Sequence, residues 1–133
     1  MSQRDPLLEL DPFDLPEWLG EGDVTWTSER GLRTGHLVSG DLCGPGHEQS
    51  ACDLLAVDQA FPEPVSDDAT RTRAHQVWRH GQVLLVSRGE RTTLAVPGTS
   101  FTAELVLEAL TRLARAVGAQ PESFSVRLRL GSD

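Results

Sequence analysis

A chain of 133 residues with a formal net charge of −8 is the size of one domain and long enough to bury a core without covalent staples. It contains no Lys, Asn, Ile or Tyr, so all twelve basic residues are arginine, which excludes Schiff-base lysines, phosphate-loop lysines, Ser–Lys pairs and N-glycosylation. The acidic balance gives no overall drive toward nucleic acid or an anionic membrane, and no apolar run reaches spanning length.

The four missing residue types share A/T-rich codons, so a GC-rich, bacterial genome is expected. The start, MSQRDPLLELDPFDLPEWLG, lacks the basic-then-apolar order of a signal peptide. A cytoplasmic location follows as the expectation, with both cysteines reduced. Charge is uneven: residues 1–23 set seven acids against Arg4, residues 24–69 eight acids against Arg30 and Arg33, and residues 70–133 nine arginines against five acids. Complementarity between an acidic first half and a basic second half is the simplest reading of that asymmetry.

Residues 1–23 form an acidic segment broken by Pro6, Pro12 and Pro16, yet rich in Leu, Phe and Trp. A disordered tail rarely carries so many large apolar side chains. The segment is therefore expected to pack on the domain formed by residues 24–133, with FDLPEWLG as a partner motif in the alternative. Within it Phe13, Trp18 and Leu19 are the candidate partner-binding residues, and Pro16 suits a first helical turn.

Val24–Ser28 alternates as a strand with Val24 and Trp26 on one face. Residues 33–42 read as a second strand, bent at Gly35 or Gly40, and a third centres on Leu54–Val57. A helix is expected from about Asp67 to His80, capped by Ser66, although AHQVWRH also admits a strand. The apolar runs around Val83–Val86 and Leu94–Val96 flank a tight turn at Gly89 and read as a hairpin, its first strand buried on both faces. Residues 101–117 carry an apolar stripe at helical spacing, a Glu108–Arg112 pair on the opposite face and a terminating Gly118. Phe124–Leu130 alternates strictly. The order βββ-α-ββ-α-β predicts a single α+β domain: a mostly antiparallel sheet of about six strands with two helices on one face.

Both cysteines flank one loop, DLCGPGHEQSACD, residues 41–53. Cys43, His47 and Cys52 have the donor atoms of a zinc site, with Asp53 or His36 available as a fourth ligand. The spacing C-x3-H-x4-C lacks a CxxC knuckle, which favours an ordinary connection flanked by strand cysteines over either zinc or a Cys43–Cys52 disulfide. His36, His75 and His80 could line a pocket as acid–base groups, but no orienting carboxylate is evident and His80 also suits a helix C-terminus. Arg127 and Arg129, joined by Arg88 or Arg91, would form an exposed stripe. The stripe would accept an acidic peptide, a phosphate or RNA, or simply guard a strand edge.

No GxSxG, HExxH or SxxK motif is present. The expected function is a small, non-catalytic, cytoplasmic binding or adaptor protein with a protein partner. A zinc protein built on Cys43, His47 and Cys52 is the alternative, and an enzyme or carrier with a His-lined cavity is a further one. Exposed strands leave room for a homodimer.

Overall fold

The computed structural model describes residues 7–28, 37–47, 49–57, 68–98 and 101–128. In chain order these form β1 (Leu7–Glu9), β2 (Val24–Ser28), β3 (Leu37–Val38), β4 (Asp41–Cys43), β5 (Ser50–Ala56), α1 (Asp68–Arg79), β6 (Leu84–Arg88), β7 (Arg91–Val96), α2 (Ala103–Ala116) and β8 (Phe124–Leu128). Single 3-10 turns occupy Pro12–Asp14, Glu17–Gly20 and Pro121–Ser123. The α+β class holds, with one mixed sheet ordered β1-β6-β7-β5-β4-β2-β8 and β3 also pairing β5.

The sheet differs from the expected one in three ways. It has eight strands rather than about six, because β1 adds to β6 and the second expected strand is interrupted. Both halves of that strand pair β5 in one continuous register, Val38 opposite Leu54 and Asp41 opposite Ala51. Between them Gly40 lies under the Trp26 ring, so close that a Cβ there would sit 2.4 Å from it.

Secondly, the sheet is mixed: β5 pairs β7 in parallel, and β2 pairs β8 in parallel. The chain leaves β5 through α1 and the β6–β7 hairpin before β7 returns beside β5, and it reaches β8, beside β2, only through α2. Neither parallel pair is joined by a tight turn, which could join only antiparallel strands.

The third difference concerns the helices, which lie on opposite faces. Leu54, Leu85, Leu94 and Val96 pack with Val106, Leu110 and Leu113 of α2. Their strand neighbours Leu55, Leu84, Val86 and Ala95 pack with Ala74 and Val77 of α1. The runs Leu54–Val57 and Leu84–Val86 are apolar at every position, and a sheet buried on both faces needs a layer on each.

Local signals account for the elements. Thr102 caps α2 by accepting from the Leu105 N–H at 3.1 Å, and Gly118 ends it with φ +79°. The region 68–79 is helical, which settles the reading of AHQVWRH. The two-residue β6–β7 connection puts Gly89 first, with φ +63°, as tight hairpins require. Trp26 is fully buried and donates its indole N–H to the Cys52 carbonyl at 2.7 Å.

The N-terminal segment is part of this architecture from Leu7 onward. Glu9 pairs opposite Val86, Leu10 donates to the Leu85 carbonyl at 2.8 Å, and Leu15 and Leu19 enter the core beside α2. Leu19 is 0% exposed, and burying one such side chain contributes about 2 kcal/mol. No helix among the described residues is long and apolar enough to cross a membrane.

Candidate functional site

The chain between β1 and β2 is folded around one surface aromatic. Asp11 accepts from the Phe13 N–H at 3.0 Å, and Asp14 accepts from the Asp11 N–H at 3.0 Å, a reciprocal capping box that closes the Pro12–Asp14 turn. Pro12 presets the first position of the turn. On either side Leu10 and Leu15 pack into the core, so the turn is pinned at both ends. Phe13 at its apex is 94% exposed.

The other two candidate partner residues have different fates. Leu19 belongs to the core. Trp18 is half-buried and stacks on His47 with ring centroids 4.8 Å apart and planes 5° from parallel. This contact explains the Gly-Pro-Gly-His sequence. Gly44 approaches the Trp18 ring so closely that a Cβ would lie 2.7 Å from it, and Gly46, with φ +77°, follows Pro45 as a type II turn demands. The His47 N–H closes that turn on the Gly44 carbonyl at 3.0 Å.

The structure does not bring Cys43, His47 and Cys52 together. Cys52 points into the core beside Leu54, whereas Cys43 follows Asp41 on the other face of the sheet, half-buried, with Gln49 donating to its sulfur at 3.5 Å. Both thiols are free, and burial next to the negative charges of Asp53 and Asp41 pushes the Cys52 thiol well above its ordinary range. Among the described residues no three His, Cys, Asp or Glu side chains are grouped to hold a metal ion.

His36 and Arg129 lie outside the described residues. His75 lies in a surface depression formed by α1 alone, between Arg71 and Arg79, and His80 is exposed beyond the helix end. Arg127 shares no stripe with Arg88 and Arg91. β5, β4 and β2 stand between β7 and β8, a separation of about 19 Å at the usual strand spacing.

Arg88 and Arg91 instead close on Asp53, a group that sequence reading considered only as a zinc ligand. Asp53 is 0% exposed and accepts from Arg91 Nε at 2.8 Å, the same guanidinium's second nitrogen at 2.9 Å, Arg88 at 3.1 Å and the Gly40 N–H at 3.2 Å. Arg91 also donates to the Gly40 carbonyl at 3.2 Å, so the clamp fixes the strand interruption itself. Bonding to Asp53 raises the Arg91 pKa above its already high ordinary value. The available signal was a lone carboxylate inside the apolar run ACDLLAV, a residue that burial makes costly unless it is paired.

A second missed feature is a cavity of about 410 Å³ where β1, α1, α2 and the start of β6 meet. Its charged lining is Glu9, Arg73, Arg112 and Arg115, with no histidine among the lining residues. Arg112 lies 3.5 Å above the Trp78 ring, donates to the Trp78 and Gln82 carbonyls at 2.7 and 3.0 Å, and pairs with Glu108 at 2.8 Å. It thereby ties the end of α1 to α2.

Comparisons with protein-family models, with curated proteins and with solved structures find no match to this chain.

Proposed function

We propose that this protein is a non-catalytic binding module whose recognition element is the Pro12–Asp14 turn with Phe13 as its anchor. The observation that carries this reading is the 94% exposure of a large aromatic on a turn that is capped, proline-started and anchored at both ends. Aromatic anchors dominate interface energetics, and one held on an ordered turn loses little conformational entropy when it docks. Asp11 and Asp14 frame the anchor and Glu17 follows it, so the complementary partner is a protein with an apolar pocket and a basic rim. Leu19 is committed to the core and Trp18 to its stack on His47, so the partner contact is assigned to Phe13.

The test is affinity capture from a host lysate on wild-type, Phe13→Ala and Leu107→Ala proteins, the last also removing an exposed apolar side chain. The expected result is a partner retained near stoichiometry by wild type and Leu107→Ala but lost from Phe13→Ala, with thermal unfolding unchanged in all three. Equal retention by a folded Phe13→Ala protein refutes the reading.

A further inference from the structure

The cavity beside β1 exists because the edge strand stops short. Leu10 makes the last bond to β6, at Leu85, and the Pro12–Asp14 turn then leads the chain away, so among the described residues no strand continues the pairing past Leu85 toward Val83 and Leu84. The two apolar layers meet at this edge. Leu10, Val83 and Leu85 belong to the layer under α2, while Val77 and Leu84 belong to the layer under α1. Together they give the cavity an apolar floor.

The rim is charged and unbalanced. Three arginines face one glutamate, on a chain whose net charge is −8. Arg73 meets Glu9 through two 3.3 Å contacts, with both side chains about half exposed, which makes a weak and exchangeable pair. Arg112 is immobilised by its two carbonyls and Glu108. The Arg115 guanidinium makes no hydrogen bond or ion pair with any described residue, although it stands one helical turn from Arg112 on the same rim. A guanidinium with no partner among the described residues, beside a concave apolar floor, matches a ligand with an anionic head and an apolar body.

From this we infer that the cavity is a binding site for small amphipathic carboxylates, with the apolar body on Leu10, Val83 and Leu85 and the carboxylate on Arg115, assisted by Arg73. The site is separate from the Phe13 reading and stands whether or not a protein partner exists. Its volume of about 410 Å³ lies within the range of small-molecule pockets.

Octanoate, 1-octanol and inorganic phosphate, titrated into the full chain and followed by amide and indole chemical shifts, separate the two halves of the inference. The expected result is saturable binding of octanoate, with shifts confined to the cavity lining and the adjacent Trp78 indole. It should exceed the affinity of both octanol and phosphate at least tenfold. Arg115→Gln should erase the octanoate-over-octanol preference, and Arg115→Lys should restore most of it. Absence of saturable octanoate binding overturns the inference, as does equal binding of octanol, equal binding of phosphate, or an unchanged preference in folded Arg115→Gln protein.

Discussion

Replacing Arg91 by Met removes the guanidinium that holds Asp53 through its two shortest bonds, 2.8 and 2.9 Å, together with the 3.2 Å bond to the Gly40 carbonyl. Asp53 has no access to water, so its charge is left in the sheet with one Arg88 contact at 3.1 Å and one N–H at 3.2 Å. Breaking a buried pair from one side costs about 3–5 kcal/mol. Arg88 remains and Arg91 is itself 41% exposed, which places this case at the lower end, about 3 kcal/mol, or about 10 °C in Tm for a chain of this size.

Urea unfolding followed by tryptophan fluorescence reads the loss directly, since buried Trp26 packs over the Gly40 that the clamp holds. The internal control is Arg73→Met, which removes an exposed ion pair and should cost less than about 0.5 kcal/mol. Equal losses in the two variants would refute the claim that burial of the carboxylate, rather than the count of ion pairs, sets the energy. The pH dependence carries a sign as well. The folded Arg91 pKa is raised, so its contribution is complete below the ordinary arginine value and lost only as pH climbs through the raised one. Arg91 therefore gives no slope to stability between pH 6 and 10, about two units or more below that range.

Gly40→Ala drives a methyl group into the Trp26 ring and should destabilise by about 2 kcal/mol, whereas Gly22→Ala, with nothing within 4 Å, should be near neutral in the same melts. Alkylation of the native protein at pH 8 should label Cys43 and leave Cys52 unmodified until denaturant is added, as mass spectrometry of the intact chain will show. Leu19→Ala should cost about 3 kcal/mol while Phe13→Ala leaves the urea midpoint in place, a contrast that separates the scaffold from the presented turn.

Much of the local structure was legible in the sequence. The stripe from Val106 to Leu113 and the Glu108–Arg112 spacing specify an amphipathic helix, and that pair forms at 2.8 Å. Gly89 marks the hairpin and Gly118 the helix end, because both need a left-handed backbone. The opposite charges of the two halves also meet, in Arg73 with Glu9 and in Arg88 and Arg91 with Asp53. The loop around Cys43 and Cys52 was harder to read. Residue types there suggest a metal, but one residue of register decides which face of a strand a side chain takes, and register places the two thiols on opposite sides.

The sequence by itself determined the helix of residues 103–116, the β6–β7 hairpin and the alternating strands at Val24 and Phe124, since periodicity, caps and glycine turns act over a few residues. It left AHQVWRH open between helix and strand and did not show β1. Tertiary structure alone decided the strand order, the parallel pairings, the placing of a helix on each face, and the pairing of Trp18 with His47. It also assembled the Asp53 clamp and the arginine-rimmed cavity. Those features join residues tens of positions apart, whose energies depend on burial and distance in three dimensions. No pattern along the chain encodes that distance, so Arg115 reads as an ordinary helix residue until β1 stops short in front of it.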